Sequence, residues 1–190
     1  MIAPVFVDTN VLVYARDSTV PAKQRLAADW LRHLWRERSG RISVQVLSEY
    51  YVTVTRKLRP GLSARVAWED IEQLFTWTPQ PIDAPLLERA RALELRQPLN
   101  WWDAMIVAAA EAQGCNTLLS EDLQDGASYG QVTVRNPFKH AVRDVVREQQ
   151  GVYEVLLAVP RHRPRCRPVS PLRVLPARRS RRPAVAGAGD

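Results

Sequence analysis

Apolar residues along this chain alternate between two rhythms. Pro4-Val5-Phe6-Val7 is a short unbroken apolar run that stops at Asp8-Thr9-Asn10. That is the pattern of a strand covered on both faces, as in a parallel sheet. A short helical pattern follows at Val11, Leu12, Tyr14 and Ala15. Over residues 22–38 the apolar positions Leu26, Ala27, Trp30, Leu31, Leu34 and Trp35 recur at helical spacing, which predicts an amphipathic helix with Gly40 as its stop. Arg41-Ile42-Ser43 reads as a very short strand, with Ser43 capping a helix over 44–57. Ser63 caps a helix over 64–75, and Gln80-Pro81-Ile82 is at most an edge strand because of its proline. Asp83 and Pro85 open a helix that runs to residue 95, and Asn100 caps one over 101–113 that Gly114 ends. Residues 116–119 and 131–135 are further strands, and 141–157 carries a last helical pattern.

Strands alternating with helices in this way predict an α/β fold with a mainly parallel sheet. The expected division is a folded unit over 1–138, an extra helix within 139–158, and a tail over 159–190 rich in Arg and Pro. The tail lacks the apolar pattern needed to fold. Charge divides along the same line. The net +7 of the chain splits into −1 for residues 1–138 and +8 for residues 139–190, so the body is not a uniformly basic nucleic-acid binder. Nine arginines between Arg161 and Arg182 can grip phosphates. The favoured reading is instead an extension without a selected role, as frame-shifted translation of GC-rich DNA would give, because the tail has no aromatic residues for base stacking. Hydrophobic residues at 46% exclude global disorder. Two cysteines, Cys115 and Cys166, make neither a disulfide framework nor a structural zinc site. With no signal-peptide pattern and no run long enough to span a bilayer, a cytoplasmic protein with no membrane partner is expected.

The chemistry lies in the acids. Two apolar strands end in carboxylates, Val7 in Asp8 and Leu119 in Ser120-Glu121-Asp122. In an open parallel sheet ligands bind outside these strand ends. Turn formation or helix capping explains each acid taken singly. Asp103 is the sole charge between Asn100 and Ala110 in a helix apolar nearly all round. A carboxylate there requires a cation, a metal or hydrogen bonds, though a first-turn acid also suits the helix dipole and a capping arrangement. Glu49 shares a polar stripe with Gln45, Thr53 and Arg56 and is singled out only by the company of the other acids.

These motifs in this order resemble the PIN-domain ribonucleases, and in particular the VapC-type toxins of bacterial toxin–antitoxin pairs. The resemblance rests on Val7-Asp8-Thr9-Asn10, Ser48-Glu49, Trp102-Asp103-Ala104, Leu119-Ser120-Glu121-Asp122 and Val134-Arg135-Asn136-Pro137-Phe138. It covers residues 2–138. It implies a three-layer α/β/α sandwich in which Asp8, Glu49, Asp103 and Asp122 ring one or two Mg²⁺ or Mn²⁺ ions. Glu121 and Asp125 compete with Asp122 for the fourth place. Thr9, Asn10 and Ser120 would orient the acids or the substrate. It further implies metal-assisted hydrolysis of RNA, transfer or ribosomal, to products bearing 5′-phosphates. A cognate antitoxin protein and a homodimer are also implied.

The competing readings are weaker or of another class. A haloacid-dehalogenase-type phosphatase wants a second Asp where this chain has Asn10, and a Rossmann domain wants a Gly-rich turn after the first strand. His33, His140 and His162 lie away from the acidic motifs in the sequence, which argues against a metal-free, histidine-based ribonuclease. A PIN-like module that binds RNA or protein without cutting it remains the alternative. Trp30, Trp35, Trp101 and Trp102 are expected in the core or a dimer interface, and Trp68 and Trp77 on a surface that meets a partner.

Overall fold

The computed structural model describes residues 3–143 and residue 145. The tail over 159–190 and nearly all of the helix expected within 139–158 lie outside the described residues. Five strands, β1 (Val5–Val7), β2 (Gly40–Arg41), β3 (Thr117–Leu119), β4 (Ser128–Tyr129) and β5 (Val132–Arg135), form one sheet in the order β2-β1-β3-β5-β4. β1 pairs in parallel with β2 and β3, β3 pairs in parallel with β5, and β4 runs antiparallel to β5. The helices are α1 (Thr9–Tyr14), α2 (Pro21–Glu37), α3 (Val44–Val52), α4 (Ala64–Leu74), α5 (Ala84–Glu94) and α6 (Trp101–Ala112). Successive side chains of a strand point to opposite faces, yet Phe6 and Val7, like Leu118 and Leu119, are all fully buried. The sheet is therefore covered on both sides, the α/β arrangement expected for unbroken apolar strands. α6 packs on β3 and β5, and α5 lies against α6.

Helix starts follow the capping residues. Ser43, Ser63, Asp83 and Asn100 accept the N–H groups of Val46, Val66, Leu86 and Asp103 at 3.3, 3.3, 2.9 and 3.0 Å. Each satisfies a donor that has no partner inside the helix.

Helix ends and short strands depart from expectation. Gly40 is not the stop of α2. The helix ends at Glu37, and Arg38 makes the left-handed turn itself, with φ 53°. Gly40 lies in β2 because the Trp77 indole covers it: a Cβ there would sit 2.5 Å from the ring. The single helix expected over 44–57 stops at Val52 and continues as one π turn, Thr53–Lys57, closed by Leu58 N–H onto the Thr53 carbonyl at 2.9 Å. Residues 80–82 form no strand; one parallel bridge joins Gln80 to Ser43. β4 was not expected, since two residues cannot display a period. Gly130, at φ +61°, supplies the turn that folds β4 back on β5.

The contact between Gly40 and Trp77 makes a quantitative prediction. Gly40→Ala should lower unfolding stability by about 1–3 kcal/mol through overpacking, measured by urea denaturation. A loss below about 0.5 kcal/mol would mean that the indole moves aside freely.

Candidate functional site

β1 is the point where the sheet order reverses, because its parallel neighbours β2 and β3 lie on opposite sides of it. Such a switch point opens a crevice at the carboxyl ends of the strands. Two backbone hydrogen bonds set the acidic turns side by side there: Asp8 N–H to Leu119 O at 3.0 Å and Ser120 N–H to Arg135 O at 3.2 Å.

Asp8 caps α1, accepting Thr9 N–H on Oδ1 at 2.6 Å. Its Oδ2 accepts the Ser120 hydroxyl at 2.7 Å and Asn10 Nδ2 at 3.0 Å. Ser120 is fully buried and acts as a junction, because its Oγ also accepts Asp122 N–H at 3.2 Å and Leu123 N–H at 3.4 Å. The Asn10 amide reaches Asp122 Oδ2 at 3.1 Å, tying the ends of β1 and β3 together through side chains. Glu49 enters from α3, where Thr9 Oγ1 donates to its Oε2 at 2.8 Å and Gln45 Nε2 to its Oε1 at 2.9 Å. Asp103 enters from the first turn of α6. Its N–H binds Asn100 Oδ1, and its own Oδ2 accepts Asn100 Nδ2 at 2.7 Å. Capping and gathering of the acids therefore coexist at both Asp8 and Asp103.

The three acids after β3 go to different places. Asp122 lines the crevice. Glu121 turns away to form an ion pair with Lys23 beside Tyr14. Asp125 accepts Asn136 N–H at 2.9 Å and pairs with His140 Nε2 at 2.8 Å. Burial raises the Asp125 pKa, but the Asn136 N–H and the His140 ring outweigh it and hold it below the usual range. His140 is therefore close to the acidic loop in space, against the expectation from its place in the sequence, although it does not line the crevice.

Asp8, Glu49, Asp103 and Asp122 all line one cleft of about 840 Å³. Asp8 is only 8% exposed. Burial pushes its pKa up from the usual 3.8 to about 6 despite the Ser120 and Thr9 hydrogen bonds, and the charges of Asp122 and Glu49 add to the rise. Asp103 is raised first by burial, then by Asp122 and Glu49, against the pull of Asn100. Among the described residues no ion pair reaches any of the four acids. A set of hard oxygen donors, among which the Asp8 and Asp103 carboxyls are raised in pKa, fits a divalent cation such as Mg²⁺, which is commonly bound through one or two carboxylates plus water. Among the described residues no three His, Cys, Asp or Glu side chains converge as ligands of a single ion.

The PIN-domain family model matches residues 5–124, well over half of the chain. The chain belongs to the PIN-domain family. Its members are generally nucleases and usually depend on divalent metal ions. No curated protein matches the chain. No described helix is long and apolar enough to cross a membrane.

In this PIN domain several cleft residues escaped the sequence reading. Gln45 reads as part of a polar stripe, yet it is buried and bonds both Glu49 and the Trp102 carbonyl. Its i, i+4 spacing to Glu49 was the available signal. Of the two places the sequence allows Trp102, the core is excluded, since the ring is 61% exposed and lines the cleft. Trp77 was expected on a surface but is buried over Gly40, whereas Trp68 is exposed against Phe75.

The raised Asp8 carboxyl makes folding of the metal-free protein pH-dependent. Between its unfolded pKa and about 6, folded Asp8 keeps a proton that the unfolded chain has released. Stability therefore falls as pH rises through that window, by up to about 3 kcal/mol from this group. Asp8→Asn lacks the term. In EDTA the variant's advantage in melting temperature over the wild type should grow from about pH 4 to pH 7 and then level off. A difference independent of pH would contradict the electrostatic account.

Proposed function

We propose that this PIN domain is a Mg²⁺- or Mn²⁺-dependent endoribonuclease in which Asp8, Glu49, Asp103 and Asp122 hold the metal. The supporting observation is the burial of Asp8 among like charges in a cleft of about 840 Å³ that Glu49, Asp103 and Asp122 also line. A bound divalent cation would supply a water of lowered pKa and shielding of the phosphodiester charge. The protein's own part is to hold the acids ready. Ser120, Thr9 and Asn10 orient the Asp8 carboxylate, and Thr9 and Gln45 clamp Glu49 by both oxygens. Asn100 fixes Asp103, and Asn10 fixes Asp122. Each carboxylate keeps further lone pairs for a cation, because carboxylate oxygens accept more than one bond.

The resemblance of these motifs, in order and spacing, to those of the VapC-type toxins supports a toxin role, and with it a cognate antitoxin, a homodimer and a transfer or ribosomal RNA target. Trp68 and Phe75, both exposed and in edge-to-face contact, favour a protein partner, since adjoining large apolar side chains left in water mark interaction surfaces.

Purified protein should cut total RNA into discrete fragments with 5′-phosphate ends in Mg²⁺ or Mn²⁺, and EDTA should stop it. Asp103→Asn and Asp8→Asn should each lose at least about 100-fold, the upper end of what removing even an outer ligand partner costs. Variants that cleave as the wild type does would refute the assignment. Absence of both cleavage and Mn²⁺ binding by the wild type would favour the non-catalytic module.

A further inference from the structure

The cleft that the carboxylates line also carries groups of a different kind. Trp102 is 61% exposed although it precedes Ala104 to Ala110, all of them buried in α6. An indole in water forgoes the free energy that burial would give it, and this one lines the cleft beside Asp103. Val52 and Ile82, also exposed, line the same cleft. Gln45 Nε2 donates to the Trp102 carbonyl at 3.3 Å and to Glu49, so one amide sets both the ring-bearing turn and a carboxylate.

The π turn supplies a cation. In a continuous α-helix, each four-residue step drifts by about 40°, so Lys57 would lie about 80° around the helix from the axial line through Glu49. The i→i+5 turn closed by Leu58 N–H on Thr53 O takes more residues per revolution, which brings Lys57 back toward that line. Lys57 lines the cleft with Thr53, and it is the sole Lys or Arg to do so among the described residues.

A flat apolar ring and an ammonium group beside carboxylates match single-stranded nucleic acid, whose free bases stack on aromatic rings while phosphates pair with cations. Paired bases in a duplex are stacked on each other and closed to such a ring. Resting on the ribonuclease reading, we propose that Trp102 stacks on an unpaired nucleobase next to the scissile phosphate and that Lys57 binds a neighbouring phosphate.

The test uses a fluorescent single-stranded oligoribonucleotide spanning one cleaved position, with affinity read by anisotropy in the Asp8→Asn background to slow cutting. Adding Trp102→Ala should weaken binding about 5- to 100-fold, the worth of one stacked base, and Trp102→Phe should retain most of it. One abasic position in the oligonucleotide should reproduce the loss and add nothing to Trp102→Ala. Lys57→Gln should reduce the slope of log affinity against log salt by about 0.7. Molecular mass by light scattering should be the same for all variants. Unchanged affinity in Trp102→Ala, or an equal loss at every abasic position, would overturn the subsite. A fall from dimer to monomer on Trp102→Ala would also overturn it and assign the surface to a second copy of the chain. Cleavage by the wild type with binding independent of Trp102 would remove the subsite and leave the nuclease standing. Trp102-dependent binding without cleavage would do the reverse.

Discussion

Parallel pairing of β1 with β3 forces two acidic turns to leave the sheet side by side, and the rest of the site is built around the resulting repulsion. Asp8 cannot move away, because its N–H is tied to Leu119 and its carboxylate caps α1. Asp122 cannot move away either, because its backbone and side chain are bound through Ser120 and Asn10. Glu49 and Asp103 arrive from α3 and α6, each locked by an amide, Gln45 or Asn100. Hydrogen bonds from neutral donors orient the acids without neutralising them. This arrangement keeps negative charge available in a partly closed cleft, which is what the proposed cation would require.

Much of this was legible in the sequence because strong local signals carried it. The apolar run at residues 4–7 and the segment 116–119 ending in Leu118-Leu119 give buried strands, and Ser43, Ser63, Asp83 and Asn100 cap helices where their spacing to the apolar stripes says they should. The acids stood out because they close apolar strands or interrupt an apolar helix. Where the reading failed, a tertiary contact had displaced a local preference. Gly40 serves the Trp77 ring instead of ending a helix, and Arg38 takes the left-handed turn. The π turn at Thr53–Lys57 has no periodicity that distinguishes it from an α-helix.

The candidate site divides in the same way. Which of Glu121, Asp122 and Asp125 faces the cleft depends on Lys23 and His140, which pair with Glu121 and Asp125 and do not adjoin them in sequence. The exposure of Trp102 was equally hidden, since a tryptophan in an apolar helix reads as core until the end of that helix is placed at a cleft. Gln45 looked like surface because its two partners, Glu49 and the Trp102 carbonyl, come together only when α3 meets α6. Residues that hold acids in place carry fainter signals than the acids themselves.

The central claim is electrostatic: a buried carboxylate is crowded by like charges until a divalent cation relieves it. Carbon-13 NMR titration of the aspartate carboxyls, with and without Mg²⁺, tests this directly. In the metal-free protein one aspartate, assigned as Asp8 through its loss in Asp8→Asn, should titrate near 6, and Mg²⁺ should move its midpoint down. A spectrum in which every aspartate titrates in the ordinary range near 4, with no response to Mg²⁺, would contradict the account.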